Sequence, residues 1–212
     1  MNDHFLKAFP TDKEREERVG RFFENQLLPK LNELEHNCFD LEIGCGHGHW
    51  LTDFAIAEKK TLLVGVDLIT KRIEKANLKM EKRNLSNLLF LKAEAKEFLS
   101  LIPESISINN TYMMFPDPWP KYKHHKRRLI QQSFLSLLAS KTLPNGKFFF
   151  RTDFNPYFEW TAQHLSESTD WTLVSDTLPY EHASYFQDLL PEFQSLSASR
   201  NSNFHKWVNE SS

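Results

Sequence analysis

The sequence has little of what marks secreted, membrane-spanning or metal-binding proteins. Its only two cysteines, Cys38 and Cys45, fit a reducing cytoplasm rather than a disulfide framework. No apolar run approaches the roughly 20 residues that a membrane-spanning helix needs, and residues 1–9 are too short and too mixed for a signal peptide. The nine histidines show no metal-ligand spacing such as HExxH. These absences predict a cytoplasmic protein without a metal site.

The charge of the chain is unevenly distributed. Of its 212 residues, 40% are hydrophobic and 25% are charged, which is ordinary for a soluble globular protein, and the formal net charge is −2. Five of the eight residues from Lys121 to Arg128 are Lys or Arg, which leaves 21 basic residues against 28 acidic ones elsewhere. A basic patch on an otherwise acidic protein predicts a polyanionic partner.

Predicted strands and helices alternate from Cys38 onward. The five predicted strands cover residues 38–43, 61–66, 87–91, 111–115 and 147–151. Ile73, Ala76 and Met80 recur at helical spacing, and a later helix carrying Ile130 to Leu138 is expected to end at Pro144-Asn145-Gly146. This order predicts right-handed βαβ crossovers and an α/β fold with a doubly wound, mostly parallel sheet covered on both faces.

Candidate site residues follow these strands. Ligands of doubly wound sheets bind at the carboxyl ends of the strands. The residues expected there are Glu42 to Gly48, Asp67, Glu94, Asp117 and Asp153. Their coincidence at five strand ends predicts one shared site.

A glycine loop after the first strand indicates a cofactor. Gly44, Gly46 and Gly48 allow sharp turns and close approach of a ligand, and Glu42 lies two residues before the first of them. A carboxylate at that place repels a pyrophosphate but suits a cationic or hydroxyl-bearing ligand. Asp67, after the second strand, is placed to accept hydrogen bonds from two ribose hydroxyls. Together these residues favour S-adenosylmethionine over a dinucleotide such as NAD.

Each of these features has a plainer explanation when taken alone. A glycine-rich turn between strand and helix occurs in many folds without a ligand. Asp67 alone is explained equally well as a helix N-cap, and Glu94 as a solvated residue at a helix start. Cofactor binding is favoured by their combination: a glycine loop, then an acidic residue after the second strand, then an acidic residue after the third.

The segment from Pro116 to Leu129 is the most distinctive part of the chain. Pro116, Pro118 and Pro120 end the fourth strand and hold Asp117 rigidly beside Trp119, and rigidity is what a catalytic carboxylate needs. A helix is expected to begin near Lys126-Arg127-Arg128, where cations oppose the helix dipole. An external anion explains that placement better than helix stability does.

The chain resembles the single-chain bacterial form of the tRNA (guanine-N7-)-methyltransferase family. The resemblance covers about Phe39 to Phe158, and its most specific part is the Phe-Pro-Asp-Pro-Trp-Pro-Lys…His-x-Lys-Arg-Arg-Leu run, matched here from Phe115 to Leu129. It implies a seven-stranded, Rossmann-like class I methyltransferase fold. It also implies methyl transfer from S-adenosylmethionine to N7 of a guanosine in tRNA, at position 46 of the variable loop. No metal and no obligatory protein partner are implied, and a monomer and a homodimer both remain open.

The resemblance also implies roles for single residues. Glu42, Asp67, Glu94 and Asp117 are expected to line the S-adenosylmethionine site together with the glycine loop, and Asp117 is also the expected catalytic residue. Lys121 and Asp153 are expected to contact the substrate guanosine. The basic side chains expected to hold RNA phosphates are Lys126, Arg127 and Arg128.

The chain departs from the family pattern near its C-terminus. The family carries Thr-x-(Tyr/Phe)-Glu there, and the best match here is Pro191-Glu192-Phe193-Gln194, which keeps only the aromatic residue. Glu192 and Gln194 are therefore the candidate substrate contacts of this segment. Two rivals remain open: an amino-methylating enzyme with an Asp-Pro-Pro-Tyr-like loop, and an RNA-binding protein that keeps the fold without turnover.

One domain, residues 1–212, is the simplest organisation, because no linker or repeat divides the chain. Residues 1–36 are expected to form a helical extension, residues 38–175 the cofactor-binding core and residues 176–212 the substrate side. In the extension, Thr11-Asp12-Lys13-Glu14 has the spacing of a capping box and predicts a helix toward Gln26, with Pro29 interrupting any continuation.

Overall fold

The structure, a computed structural model, describes residues 12–181 and 192–202. Its centre is a seven-stranded sheet with the order β3-β2-β1-β4-β5-β7-β6. The strands are β1 Cys38–Ile43, β2 Leu63–Asp67, β3 Leu88–Lys92, β4 Ser107–Met114, β5 Thr142–Thr152, β6 Trp171–Val174 and β7 Gln194–Arg200. β1 to β5 are parallel, and β7 runs antiparallel to both β5 and β6. The predicted fold class is confirmed.

Helices connect the strands. The α-helices are α1 Lys13–Phe22, α2 Leu28–Glu33, α3 His49–Ala57, α4 Thr70–Lys82, α5 Ala95–Leu101, α6 Gln132–Lys141 and α7 Asn155–Ser166. A π-helical turn, Phe23–Leu27, joins α1 to α2, and a 3₁₀ helix, Tyr122–Arg127, precedes α6. The helix expected to end at Pro144-Asn145-Gly146 ends earlier, at Lys141, because these three residues belong to the irregular start of β5.

The prediction that Pro29 interrupts the first helix is wrong. The chain stays helical from Lys13 to Glu33, because the π-helical turn shifts the hydrogen-bond pattern and places Pro29 in the first turn of α2. A proline in a first turn lacks only an N–H that has no partner within the helix. At the other end Asp12 is the N-cap, and its side chain accepts a hydrogen bond from the Glu14 N–H; Thr11 lies outside the described residues.

Two apolar layers cover the sheet. On one face, side chains from α1, α5, α6 and α7 pack against strand residues such as Leu41, Val64 and Phe148. On the other face, α3 and α4 pack against residues such as Phe90 and Tyr112. Because the central strands are covered on both sides, they are apolar with little alternation, as their sequences predict.

The strand order reverses direction between β1 and β4. From β1 the chain builds outward through β2 to β3 and then returns to the far side of β1 with β4. Such a switch point opens a crevice at the carboxyl ends of the two strands that flank it. In this chain, the glycine loop follows β1 and the proline-rich segment follows β4, so the fold places the two motifs beside one crevice.

The helix expected near Lys126-Arg127-Arg128 begins later than predicted. A 3₁₀ helix covers Tyr122–Arg127, and the α-helix starts at Gln132. Lys126 and Arg127 therefore lie in the last turn of a short helix, where the dipole favours cations. In this structure Lys126 and Arg127 therefore do not oppose a helix dipole.

Candidate active site

The three glycines of the loop after β1 all adopt left-handed backbone angles, with φ of 77° at Gly44, 56° at Gly46 and 67° at Gly48. A Cβ added at Gly44 or Gly46 would meet no atom within 4 Å, whereas one at Gly48 would lie 2.5 Å from Cζ of Phe90. Gly48 is thus required for packing of α3 against β3. Gly44 and Gly46 keep open the space over the loop.

Asp67 fixes the glycine loop to the end of β2. Its Oδ2 accepts a hydrogen bond of 3.1 Å from the Gly46 N–H, and its Oδ1 accepts one of 2.8 Å from the Ile69 N–H. The guanidinium of Arg72 lies 3.5 Å from Oδ2. The N-cap of α4 is Ile69, which has no side-chain cap. The plainer explanation of Asp67 as a helix N-cap is therefore wrong.

Glu42 is a buried carboxyl group with one oxygen that lacks a hydrogen-bond partner among the described residues. Only 3% of its surface is exposed, and its Oε2 has no hydrogen-bond partner among the described residues. Burial, together with the nearby charge of Asp67, raises the pKa of Glu42 to about 8. A buried polar atom without a partner is costly, so this position suits a ligand that donates a hydrogen bond to it.

Glu94 caps the helix that follows β3. Its Oε2 accepts hydrogen bonds of 2.7 Å from the Lys96 N–H and 3.0 Å from the Glu97 N–H. The explanation of Glu94 as a helix-start residue is confirmed, but its side chain is half-buried rather than solvated. Since Glu94 also lines the cavity described next, the cap holds its side chain toward the crevice.

A cavity of about 310 Å³ runs along the carboxyl ends of the strands. Its lining includes Gly44, Asp67, Arg72, Glu94, Asp117 and Arg127. Leu68 and Ile69 add an apolar wall, although 59% and 46% of their surfaces are exposed. The cavity thus joins the predicted cofactor residues of β1, β2 and β3 to the proline-rich segment after β4. Glu42 is not part of its lining.

The proline-rich segment turns sharply on two left-handed residues. Phe115 has φ of 50° and Trp119 has φ of 45°, which is uncommon for residues other than glycine. Such a conformation costs roughly 1–2 kcal/mol per residue and persists where the surroundings impose it, often at functional sites. Asp117, between these turns, is exposed and lines the cavity.

Arg128 supplies part of the constraint on this segment, which the sequence did not predict. Only 3% of Arg128 is exposed, and its Nε donates a hydrogen bond of 3.0 Å to the Pro118 carbonyl. Its guanidinium lies 5.0 Å from the ring of Tyr157 and 5.1 Å from that of Trp160. Here the structure differs from the expected phosphate contact, because a buried guanidinium is not available to an RNA backbone.

The other basic residues of the segment face solvent. Lys121, Lys126 and Arg127 are exposed, and the Arg127 guanidinium stacks 4.9 Å over the half-buried ring of Trp119. Tyr122 is 88% exposed. The structure therefore presents cations and an aromatic ring beside Asp117.

The C-terminal residues reach the same edge of the sheet. Asp153 is exposed directly after β5, and Gln194, the first residue of β7, is in register with Thr152. Glu192 is exposed as well. Pro191 lies outside the described residues. β7 thus brings the described part of the segment that differs from the family pattern next to Asp153.

Two arginines at this edge were missed by sequence reasoning. Arg72 lines the cavity and contacts Asp67, and Arg151 occupies a buried position in β5. A charged residue directly after the Phe148-Phe149-Phe150 run was the available signal for Arg151. For Arg72 no signal separated it from the other cations of α4.

Within the described ranges, no cluster of three or more His, Cys, Asp or Glu side chains is arranged to hold a metal ion. Over the same ranges, every helix is too short or too polar to cross a membrane.

Solved methyltransferases share this fold. The 16S rRNA methyltransferase KamB superposes with a TM-score of 0.60 at 18% identity, covering 84% of this chain and 94% of that one. The aminoglycoside resistance methyltransferase NpmB1 gives 0.57 at 16% identity, covering 80% and 91%. The fold is that of the class I methyltransferases.

Sequence comparison places the chain within this class. A family model described as "Putative methyltransferase" matches residues 36–194. The protein named tRNA (guanine-N(7)-)-methyltransferase from Prochlorococcus marinus subsp. pastoris is 33% identical over 182 residues, which is 80% of this chain and 82% of the relative. The chain belongs to the family of tRNA (guanine-N7-)-methyltransferases, which confirms the resemblance.

Two further relatives of the same name are covered less completely. The Wolbachia pipientis wMel protein is 36% identical over 127 residues, 60% of this chain and 57% of the relative. The Chromohalobacter salexigens protein is 34% identical over 157 residues, 74% of this chain and 61% of the relative. The chain thus spans about three fifths of the length of these two proteins.

Proposed function

We propose that this protein transfers a methyl group from S-adenosylmethionine to N7 of a guanosine in tRNA, in the variable loop. One observation carries the proposal: a single cavity joins the glycine loop, Asp67 and Glu94 to Asp117 on its constrained segment. Family membership supports the choice of tRNA and of guanine, because the relatives bear that name.

The residues at the ends of β1, β2 and β3 fit S-adenosylmethionine. When bound, this cosubstrate supplies an electrophilic methyl group on a positively charged sulfonium. Glu42 provides a buried carboxyl oxygen that has no partner among the described residues for a cationic donor, and Asp67 provides oxygens for ribose hydroxyls. Leu68 and Ile69 offer apolar surface to an adenine ring. Two carboxyl groups at this end disfavour the pyrophosphate of a dinucleotide.

The chemistry places modest demands on the protein. Guanine N7 has an exposed lone pair and no proton, so no general base is needed to create the nucleophile. Catalysis then consists of positioning the two reactants and stabilising charge. Asp117 either orients the base through its N1 and N2 donors or stabilises the positive charge that develops on the ring.

The target base must be accessible. In an A-form helix N7 faces a deep, narrow groove that side chains do not enter, so the guanosine lies in a loop or is extruded. Trp119 and Tyr122 are candidate stacking partners. The proposed contacts of the guanosine are Lys121, Asp153, Glu192 and Gln194. The proposed contacts of the RNA phosphates are Lys126 and Arg127.

We also propose different roles for two parts of the chain. Residues 38–175 bind the cosubstrate, and residues 176–212 face the tRNA, in one domain that needs no obligatory protein partner. The place of β7 in the sheet, next to β5, supports the single-domain organisation.

A transfer assay tests the proposed function. The purified protein is incubated with methyl-labelled S-adenosylmethionine and either an unmodified tRNA transcript, 16S rRNA or duplex DNA. Label is expected in tRNA alone. Label in rRNA alone, or none in any nucleic acid, would contradict the proposal.

A further inference from the structure

Arg151 is a buried cation with partners on two other parts of the chain. Only 4% of its side chain is exposed, and it makes a bidentate ion pair with Glu181, with N–O distances of 2.6 and 3.0 Å. Its Nε donates a hydrogen bond of 2.8 Å to Oγ of Ser195. Its guanidinium carbon lies 4.3 Å from the centre of the Phe193 ring. These contacts fix both the guanidinium and its partners.

The partners of Arg151 come from either side of residues 182–191. Glu181 precedes that segment, and Phe193 and Ser195 follow it. A guanidinium is planar and rigid, so one side chain that binds both parts sets their separation at the edge of the sheet. A lysine has a single ammonium group and cannot reproduce this geometry.

Arg151 is also linked to the segment that carries Asp117. Its carbonyl accepts a hydrogen bond of 2.8 Å from the Phe115 N–H. The ring of Phe115 meets the ring of Phe193 edge-on, with their centres 6.0 Å apart. Because Phe115 is left-handed and lines the cavity two residues before Asp117, a shift of Phe193 would be transmitted to the catalytic segment.

We propose that Arg151 is a positioning residue for methyl transfer. It holds Glu181 and Phe193 against the Asp117 segment, and so shapes the side of the cavity where the guanosine enters. The inference rests on the proposed function, since it assigns Arg151 to the substrate side of that site. Phe193 is 37% exposed, so part of its ring remains available to a base, and aromatic rings bind unstacked bases well.

A purely structural role for Arg151 is the competing explanation. The chain offers a matched control on the same strand, because Lys147 of β5 forms an ion pair with Asp176. That pair also ties β5 to the chain before Glu181, but Lys147 lies in the middle of the strand, four residues before Arg151. Lys147→Met therefore removes an ion-paired cation of the same strand, a more exposed one than Arg151, without removing a contact to Phe115 or Phe193.

The kinetic test compares Arg151→Met, Arg151→Lys, Glu181→Gln and Phe193→Leu with the control. Because small misplacements at reacting centres are costly, Glu181→Gln and Phe193→Leu are each expected to lower kcat/KM for tRNA about tenfold. Glu181 is half exposed, so its substitution leaves the fold intact. The dissociation constant for S-adenosylmethionine is expected to stay within about twofold in all five variants.

Combining substitutions and restoring the charge sharpen the test. Arg151→Met/Glu181→Gln is expected to be no worse than Arg151→Met, because both changes remove one interaction. Arg151→Lys is expected to recover part of the loss. The proposal would be overturned if kcat and KM were unchanged in Glu181→Gln and Phe193→Leu. It would also be overturned if the affinity for S-adenosylmethionine fell by as much as kcat/KM.

A second measurement does not depend on turnover. Hydrogen exchange is followed in peptides covering residues 113–118 and 192–197. Arg151→Met is expected to speed exchange in both peptides, and Lys147→Met in neither. If wild-type protein fails to methylate tRNA, the proposed function fails, while the exchange result still decides whether Arg151 links the two segments. Exchange that is unchanged in residues 113–118 would overturn the link.

Discussion

Glu42 is the penultimate residue of β1 and Asp67 the last residue of the neighbouring parallel strand β2, and the charge of Asp67 adds to burial in raising the pKa of Glu42 to about 8. At neutral pH without a ligand, Glu42 is therefore mostly protonated. A cationic ligand would replace that proton by a charge-assisted contact. The site holds one carboxyl group ready to change its charge when it binds.

The first prediction concerns stability and pH. The pKa of Glu42 in the folded protein, about 8, exceeds its ordinary value of 4.5, so the folded state binds this proton more tightly. The contribution to the free energy of unfolding is complete below pH 4.5 and is lost as pH rises toward 8, at about 1.4 kcal/mol per pH unit. Urea titrations of the ligand-free protein from pH 5 to 8.5 measure it.

The variant Glu42→Gln isolates the contribution of the Glu42 carboxyl group to the pH dependence of stability from that of the other titratable groups. The amide cannot ionise, so the variant is expected to lose less stability with rising pH and to exceed the wild type at pH 8.5. Glu104→Gln, which changes an exposed carboxylate, is the control. Parallel pH profiles for wild type and Glu42→Gln would contradict the assignment.

The same substitution is expected to weaken cosubstrate binding. Hydrogen bonds to charged groups contribute about 1.5–3 kcal/mol, which corresponds to roughly 10- to 100-fold in affinity. Isothermal titration with S-adenosylmethionine and with S-adenosylhomocysteine checks this. An unchanged dissociation constant for both would show that Glu42 does not contact the ligand.

Two glycine substitutions should distinguish an effect on cosubstrate binding from an effect on the stability of the fold. At Gly46 a methyl group meets open space, so Gly46→Ala is expected to cost about 1–2 kcal/mol of backbone strain and to lower cosubstrate affinity. At Gly48 the methyl group would lie 2.5 Å from the Phe90 ring. Gly48→Ala is expected to be the more destabilising in urea titration. The reverse order of stabilities would be inconsistent with the loop geometry.

Asp117→Ala is expected to lower kcat by about 10²–10³-fold, as the loss of one positioned polar group does. Because Asp117 is exposed, the melting temperature should hardly change. Glu104→Ala, at an exposed acid outside the cavity, serves as the control in single-turnover assays. Near-normal turnover of Asp117→Ala would remove this residue from the mechanism.

The two arginines of the basic segment should differ in their effects on tRNA binding and on stability. Lys126→Ala/Arg127→Ala is expected to raise KM for tRNA and to reduce the slope of log affinity against log salt by about two. Arg128→Ala is expected to lower stability instead, because Arg128 is buried against Pro118 and Trp160. Filter binding across salt concentrations, with thermal unfolding, distinguishes them. A salt slope altered equally by Arg128→Ala would contradict its structural role.

The sequence was informative where local chemistry decides the structure. Buried parallel strands leave continuous apolar runs, so residues 61–66 and 87–91 were recognisable. The glycine loop and Asp67 follow strands directly, so their meeting at one edge followed from topology alone. The proline-rich segment was identified from its composition, and the structure adds its two left-handed turns.

Features that depend on distant contacts were not predictable. Nothing local separates buried Arg128 from exposed Arg127, because only the approach of Tyr157 and Trp160 buries it. Likewise the π-helical turn that accommodates Pro29 depends on packing of Phe23 and Leu27 into the core. Arg151 gains its partners from residues 30 and 44 positions further along the chain.

The most direct test of the proposed function is the position of the methyl group. An unmodified tRNA transcript is incubated with the protein and S-adenosylmethionine, and is then cleaved with borohydride and aniline, which break the chain at 7-methylguanosine. One enzyme-dependent cleavage is expected, at a guanosine of the variable loop, and it should be lost with Asp117→Ala. An RNA that carries the methyl group but resists cleavage would contradict it.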